Sequence, residues 1–559
     1  MKIVIIGGVA GGATAAARLR RLNEQDEIIV FERGEYVSFA NCGLPYYIGG
    51  IIPDSDKLLL QTPQSFYNRF RVEVRTNCEV TKINRDQKYV YVKCGDETYT
   101  EPYDKLILSP GAEPFIPGAL DIQSKCIFTL RNMADTFKIK NYAAMTTPKR
   151  AVILGGGYVG IEMAENLAHL GIEVYVIEFT EQILSSFDFD MVCDIQNYLR
   201  EKGIHILTNT SIVSASEKVA GELLLETSQG SITADMLVVA AGIRPETKLA
   251  SECGLEVSKN GGICVNEFMQ TSDADIYAAG DAVETNVLIS NCRRIVPLAG
   301  PANKQARIAA NHISGKAEAY HGTQGSAIIK LFDMTAASTG LTEREAIKNG
   351  IPYDKVFTFS PSHATYYPGA SNMSIKTLYD PKTGRILGAQ IVGYEGVDKR
   401  CDVMSIAVRF ALTASQLEEF ELCYAPPFSS AKDPVNMAGF VIQNTREGLV
   451  KNFHWHDVAS LPDDDSIIRL DVRTKKEVSR GAIPGFINIP LDELRDNLHQ
   501  LDQNKPIYVH CQSGLRSYIA CRILSGNGYD CYNLSGGYRL WKSIQKNKET
   551  QDNLPTAEK

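Results

Sequence analysis

The sequence predicts an α/β protein in four parts, and three observations carry that prediction. One strand–turn–helix–strand plan occurs twice, at residues 2–32 and again at 151–178. A stretch over about 323–445 mixes strands with a helix, which suggests an α+β domain. From about residue 450 a new alternation of short apolar strands and polar turns begins, "SIIRLDVR", "GFINIP", "PIYVHC" and "CYNLSGG". At 559 residues the chain is long enough for about three or four domains.

The first unit opens with "KIVII" (2–6), a buried-strand run that ends in glycines and feeds an Ala-rich helix. "EIIVFE" follows as the next strand and closes at Glu32. The start of the chain could be mistaken for a secretory leader, but four glycines break its apolar part and the pattern continues into an amphipathic helix. The second unit repeats the plan with "AVIL" (151–154), the turn and helix "GGGYVGIEMAENLAHLG", and "EVYVIE" closing at Glu178. In the third part "SAIIKLF", "MSIKTLYD" and "RILGAQIVG" read as strands, with a helix near 398–412. The acidic, Pro-containing stretch "REGLVKNFHWHDVASLPDDD" suits a boundary before the fourth part.

Composition narrows the partners. A hydrophobic share of 44%, a charged share of 22% and a net charge of −8 describe a globular chain for which neither nucleic acid nor a membrane is expected as partner. No apolar run is long enough to span a bilayer. The thirteen cysteines are scattered, without a CxxC and without zinc-like spacing, so reduced or catalytic thiols in a cytoplasmic protein are expected, and no metal.

Gly155-x-Gly157-x-x-Gly160 with Glu178 matches the dinucleotide fingerprint at every position. The glycines allow a tight turn and close backbone approach, and the helix start faces the pyrophosphate. Glu178 would bind a ribose 2′-hydroxyl and repel a 2′-phosphate, which leans toward NADH and leaves NADPH open. The first unit reads Gly7-Gly8-Val9-Ala10-Gly11-Gly12, with Val9 at the second fingerprint glycine. Such a turn also occurs in sheets that bind nothing, but two copies with acidic strand ends favour binding.

The stretch "SFANCGLPYYIGG" (38–50) places Cys42 shortly after the first turn with no partner cysteine nearby. "ILSPGAEPFIPG" and "VVAAGIRPET" form paired strand-to-glycine turns, and "ADIYAAGDAVE" sets Asp281 between a strand and a helix. Together these resemble the pyridine nucleotide-disulfide oxidoreductases over about residues 1–445. The resemblance implies two Rossmann-like FAD/NAD(P)-binding domains, at 1–149 with 281–322 and at 150–280, and an α+β dimerisation domain at 323–445. FAD contacts are implied at Gly7, Gly8, Ala10, Gly11, Glu32, Arg33, Val80, Ser109, Gly111, Arg131, Gly280, Asp281, Pro297, Leu298 and Ala299. Contacts to NADH are implied at Gly155, Gly157, Tyr158, Val159, Gly160, Glu178 and Gly242.

Most of that family carries two cysteines four residues apart, whereas Cys42 stands alone. Its single-cysteine branch includes NADH peroxidases, NADH oxidases and coenzyme A-disulfide reductases. The peroxidases have a histidine where Ala10 stands here, which counts against peroxide chemistry. The Cys42 stretch is most similar to the coenzyme A-disulfide reductases, implying coenzyme A contacts at Ser38 and Asn41. "SHATYYPGA" and "CYAPPFSSAKDP" resemble the branch's tyrosine-bearing segments, which reach the active site across a homodimer interface. They imply catalytic Tyr366 and Tyr424, with Tyr367 as alternative to Tyr366, and a contact at Lys432. In the basic run Arg18, Arg20, Arg21, the outer two are expected to clamp CoA phosphates. Thr14, Asn303 and Arg71 complete the expected substrate contacts, although a family lysine near Phe70 is absent and only Arg69 and Arg71 flank it.

The fourth part resembles the rhodanese family through "DVRTKKE" (471–477) and "VHCQSGLRSYIACRIL" (509–524). A rhodanese-like α/β domain is expected at 466–546, after a linker at 446–465 and before a flexible tail at 547–559. Cys511 would carry a persulfide stabilised by loop N–H groups, and Arg516 would add charge. Ala482 stands where the family has histidine, while Cys521 and Cys531 carry no motif and read as structural. The expected function is an FAD-dependent, NAD(P)H-linked reductase of CoA persulfide, polysulfide or CoA disulfide. A thiolate at Cys42 would be the nucleophile, its pKa lowered by charge transfer with the nearby flavin and by a helix N-terminus. An NADH oxidase with an attached sulfurtransferase and an FAD/CoA-binding redox sensor are the alternatives.

Overall fold

The computed structural model describes every residue except 121, 123, 220 and 553–559. The chain forms two compact units, Met1–Glu181 with Gly203–Gly325, and Gln182–Lys202 with the chain from Ser326.

Two parallel sheets of one plan build the first unit. The first runs Ile276–Ala278, Lys105–Leu108, Lys2–Ile6, Glu27–Glu32, Glu73–Thr76. The second runs Ile127–Thr129, Met236–Val239, Arg150–Leu154, Glu173–Ile177, Ile204–Leu207. Their strands read as near-continuous apolar runs because both faces are covered; Ile3, Val4 and Ile5 are fully buried, as are Val152 and Ile153. In each sheet the strand that leads into the glycine turn, Lys2–Ile6 or Arg150–Leu154, is central, so the chain leaves it on one side and returns on the other. That switch opens a crevice at the carboxyl end of the central strand, where the glycine turns lie. Each sheet also carries a three-stranded antiparallel meander, Cys78–Asn84 to Glu97–Pro102 and Ile212–Val219 to Gly230–Ala234.

In the first meander Cys78 faces Cys94 in register and the two are bonded, with Cα atoms 4.3 Å apart. The sequence reading expected free thiols throughout. A separation of 16 residues gave no sign that a hairpin would bring this pair together.

The second unit holds a five-stranded antiparallel sheet in the order Ala327–Leu331, Met334–Gly340, Ile386–Gly393, Asn372–Tyr379, Asp354–Pro361. Helix Phe189–Glu201 belongs to this unit, although its position in the chain puts it within residues 150–280. It is held by charge in the interior. The fully buried Lys376 ammonium lies 2.9 Å from both Asp190 oxygens and 3.0 Å from Asp188, and also bonds Glu343. Lys355 reaches Glu343 at 2.6 Å, and the Trp455 indole donates to Asp190 at 3.3 Å. Asp188, Asp190 and Glu343 approach one another closely enough to hold a metal ion, but Lys376 takes that position.

A second, parallel sheet completes this unit, ordered Lys451–Phe453, Cys531–Leu534, Ile507–His510, Ile468–Asp471, Ile487–Asn488. Its edge strand Lys451–Phe453 comes from the stretch read as linker, because three residues are too few to show an alternating pattern. The last helix, Gly537–Asp552, runs six residues into the expected tail, and residues 553–559 lie outside the described residues. Among the described residues no helix is long and apolar enough to cross a membrane.

Burial alone would raise the Glu343 carboxyl, but the Lys376 and Lys355 ammoniums override it and hold it at about 2. Stability from this group is therefore present above the ordinary glutamate range and lost as pH falls toward 2. Replacing Lys376 with Met leaves Asp188 and Asp190 in the interior without their cation, while Glu343 keeps Lys355. It is expected to cost about 3–5 kcal/mol of unfolding free energy, read from urea titration of the full chain.

Candidate functional site

The first glycine turn is shaped by close approach. Gly7 has φ +94°, and a Cβ there would lie 2.1 Å from the Ser109 carbonyl oxygen. At Gly11 it would meet the Ser109 hydroxyl at 2.4 Å, and at Gly12 the Gly7 carbonyl at 1.8 Å. Gly12 therefore does the helix-packing work of the third fingerprint glycine. Glu32 closes the turn by accepting the Gly8 N–H at 2.9 Å and the Gly34 N–H at 2.9 Å.

A cavity of about 220 Å³ opens beside this turn, and Gly7, Ala10, Gly11, Glu32, Arg33, Asn41, Ser109, Gly111, Arg131, Gly280 and Asp281 line it. Arg131 and Asp281 pair at 2.9 Å, and Gln305 accepts the Gly280 N–H at 2.8 Å. Val80 lies instead on an adjoining cavity of about 710 Å³ with Glu32, Arg33 and Glu246. Leu298 caps the helix Ala299–Ile313, directly after Pro297. The Asn41 amide oxygen is buried without a hydrogen-bond partner at the cavity wall, so the site has an acceptor awaiting a donor. These residues fit a flavin dinucleotide.

The second turn repeats the construction. A Cβ on Gly155 would lie 2.3 Å from the Ala240 carbonyl, and on Gly160 2.0 Å from the Gly155 carbonyl. A Cβ on Gly157 would meet nothing within 4 Å, which leaves open the side from which a pyrophosphate approaches. Glu178 accepts the Gly156 N–H at 2.7 Å and both the N–H and hydroxyl of Thr180. Tyr158 and Val159 start the helix Tyr158–His169, and Gly242 turns the chain with φ +115°.

Cys42 sits on a single helical turn, Asn41–Gly43. Its loop is tied to the glycine turn, because the Ser38 N–H donates to the Gly8 carbonyl at 2.9 Å and Ser38 adopts φ +49°. The residue is open to solvent, yet its packed surroundings and the Glu162 and Asp281 carboxylates push its thiol above the ordinary cysteine value. The sequence reading expected the opposite direction. The chain brings carboxylates to this thiol, and a turn this short supplies no dipole to offset them.

Helices Ala10–Leu22 and Ala299–Ile313 pack together and align the expected CoA contacts. The Thr14 hydroxyl donates to Asn303 at 2.5 Å and Arg18 donates to Asn311 at 2.8 Å. Arg18 is lowered by burial and then by the charges of Arg307 and Arg21, so three guanidiniums converge here. Arg20 differs from its neighbours. It is buried and donates to five main-chain carbonyls, those of Asn23, Glu24, Asp26, Phe70 and Arg71. It thereby fixes the left-handed Arg71 (φ +48°), whose guanidinium lies over the Tyr67 ring.

In the second unit the Tyr366 and Tyr424 hydroxyls are 2.9 Å apart. Tyr367 packs instead on the edge of His363. The buried Arg400 holds the two tyrosine segments together by bonding Asp433, Ser429 and the Ser362 carbonyl. Lys432 lies beside Asp433 in this clamp.

Cys511 ends the strand Ile507–His510 and is fully buried. Its sulfur accepts the Gly514 N–H at 3.1 Å and the Ser517 hydroxyl at 3.3 Å. Asp471 and Arg473 pair at 2.7 Å behind it. Arg516 makes a bidentate pair with Glu477, at 2.6 and 2.7 Å. The Cys531 sulfur bonds the Cys521 carbonyl at 3.4 Å, and both residues lie in the core.

Comparison with known proteins follows this division. Residues 1–306 match the model of the pyridine nucleotide-disulphide oxidoreductases, residues 326–434 that family's dimerisation domain, and residues 454–544 the rhodanese-like domain. The chain belongs to the pyridine nucleotide-disulphide oxidoreductases. A coenzyme A disulfide reductase of Staphylococcus epidermidis is 38% identical over 445 residues, covering 79% of this chain and all of the relative. The reduced Bacillus anthracis CoADR-RHD superposes with a TM-score of 0.95 at 44% identity over 98% of both chains. A NAD-dependent persulfide reductase from A. fulgidus gives 0.91 at 36% identity, covering 97% of this chain and 100% of that one. Members of this family use FAD and NAD(P)H.

Two residues at this oxidoreductase's site escaped the sequence reading. Arg307 lies one helical turn beyond Asn303, and only the packing of the two helices brings it to Arg18. Glu162 follows the third fingerprint glycine by two positions, a charge in the first turns of a helix that starts at the nucleotide crevice, and that signal could have been used. It accepts the Tyr46 hydroxyl at 3.4 Å, and burial, helped by Glu165, lifts its carboxyl to about 7. Glu162→Gln removes a negative charge from beside Cys42, so the thiol should ionise at lower pH. Iodoacetamide alkylation of the reduced enzyme is expected to be severalfold faster, with the gain largest above pH 7, where Glu162 is charged.

Proposed function

We propose that this chain is an FAD-dependent, NADH-linked reductase of CoA disulfide and CoA persulfide, with Cys42 as its redox nucleophile and Cys511 as its sulfane-sulfur carrier. One observation carries the reading: a lone thiol next in the chain to Asn41, which lines the dinucleotide cavity, shares a chain with a second thiol whose loop donates two hydrogen bonds to sulfur.

Cys42 attacks the sulfur–sulfur bond of the substrate, forming a mixed disulfide with CoA and releasing the other half as a thiolate or as hydrosulfide. FAD, when bound, supplies the two-electron relay from the nicotinamide to this disulfide. The balance is CoA–S–S–CoA + NADH + H⁺ giving two CoA–SH and NAD⁺, or CoA–S–SH + NADH + H⁺ giving CoA–SH, H₂S and NAD⁺. Ser38 and Asn41 orient the incoming thiol, while Arg18 and Arg21 take CoA phosphates and Arg307 adds a third guanidinium. Glu178 favours NADH over the 2′-phosphorylated cofactor.

Tyr366 and Tyr424 act across a homodimer as a hydrogen-bonded pair that hands a proton to the departing thiolate, with Lys432 beside them. Their shared hydrogen bond at 2.9 Å supports this role, because one hydroxyl can donate while the other resupplies it. Polysulfide presents the same bond to Cys42 and enters through Cys511. The cytoplasm is the proposed location, since its reduced nucleotide and CoA pools supply both substrates.

Steady-state kinetics of Cys42→Ser and Cys511→Ser with CoA disulfide, CoA persulfide and polysulfide test the assignment. Cys42→Ser is expected to lose on the order of 1,000-fold or more with every substrate. Cys511→Ser should keep CoA disulfide reduction and lose polysulfide. Oxygen uptake that outpaces CoA-disulfide-dependent NADH loss would instead indicate an oxidase.

A further inference from the structure

The charges that Asp471, Arg473, Glu477 and Arg516 bring to the Cys511 loop are paired with one another. Asp471 and Arg473 form a bidentate pair in the interior, with Arg473 also bonding the Gly481 carbonyl. Burial lowers His510 to about 4, so its ring is neutral at physiological pH. The one cation of the loop, Arg516, turns to Glu477 and spends both terminal nitrogens there. Glu477 is itself fixed, because it accepts the Thr474 N–H at 2.9 Å and hydroxyl at 2.8 Å in the capping box of helix Lys475–Val478. The sulfur is thus served by two neutral donors, Gly514 and Ser517, in a fully buried position where Arg473 and Arg516 are each neutralised by a carboxylate.

This arrangement has a consequence for the sulfur donor. An organic persulfide brings at most one negative charge to Cys511 at its terminal sulfur and keeps its other charged groups remote. Thiosulfate brings a dianion to the sulfur itself, and burying it without a free cation is costly. We propose that Glu477 is a specificity-determining positioning residue that, by holding Arg516, makes Cys511 an acceptor of organic persulfide sulfur and bars thiosulfate. The inference rests on the reading of Cys511 as sulfur carrier. The favoured step is Cys511–S⁻ + R–S–SH giving Cys511–S–S⁻ + R–SH. The disfavoured one is Cys511–S⁻ + S₂O₃²⁻ giving Cys511–S–S⁻ + SO₃²⁻.

The test uses the full-length flavoprotein without NADH, so that the reductase site is idle. Glutathione persulfide or thiosulfate is the donor, and cyanide collects the sulfur as thiocyanate while Cys511 is regenerated. In the wild type kcat/KM for the persulfide should exceed that for thiosulfate by roughly 100-fold, the scale set by one charged hydrogen-bonding group left unmatched. Glu477→Gln keeps a capping acceptor and frees Arg516, so it should raise thiosulfate kcat/KM about tenfold or more, mainly through KM. Adding Arg516→Gln should abolish that gain. A gain of activity cannot come from a misfolded domain. A wild type that takes thiosulfate as readily as the persulfide overturns the inference without any variant. Glu477→Gln with unchanged preference, or with loss of both donors, overturns it as well. Failure of the wild type to load from either donor would remove both this inference and the carrier role of Cys511.

Discussion

A carboxylate bonded to the backbone of a glycine turn is the interaction on which the oxidoreductase half depends. Glu32 holds the Gly8 N–H and Glu178 holds the Gly156 N–H, each from the end of the neighbouring strand. Each bond joins two strands at their carboxyl ends and fixes where the following helix begins. The Cys42 loop inherits its position from the first of them through the Ser38 bond to Gly8. Nucleotide crevice and reactive thiol are therefore placed by one local constraint, which allows the distance between them to be set accurately.

The two thiols proposed to react, Cys42 and Cys511, lie in different electrostatic settings. Cys42 faces Glu162 and Asp281, and its ionisation is opposed until charge in the crevice changes. Cys511 lies among compensated pairs and receives two hydrogen bonds at sulfur. The first suits a thiol whose reactivity is coupled to the electron count of its neighbours, and the second suits a sulfur that must hold a transferable atom.

Much of this was legible in the sequence because it is written in periodicity and glycine placement. Lys2–Ile6, Glu27–Glu32, Arg150–Leu154 and Glu173–Ile177 lie within a residue of the expected strands. The Tyr366–Tyr424 and Cys511 loops were found from their motifs. What stayed hidden is convergence between distant segments. Arg18, Arg20 and Arg21 look alike in the chain, yet Arg20 is buried by carbonyls from residues 70 and 71. Arg307, Glu162 and the Cys78–Cys94 bond are likewise products of packing. The carboxylates that oppose ionisation at Cys42 likewise come from distant segments, at residues 162 and 281.

Helix Phe189–Glu201 shows how the C-terminal domain is joined to the rest. Asn197 and Asp194 bond Ser543, and Gln196 bonds Asn547, so the last helix grips the same element that Lys376 anchors from the other side. Fusion here is a shared surface rather than a bead on a string. The appended domain is thus held by a segment some 250 residues upstream of where it begins, through Asp194, Gln196, Asn197 and Arg200 on one helix face.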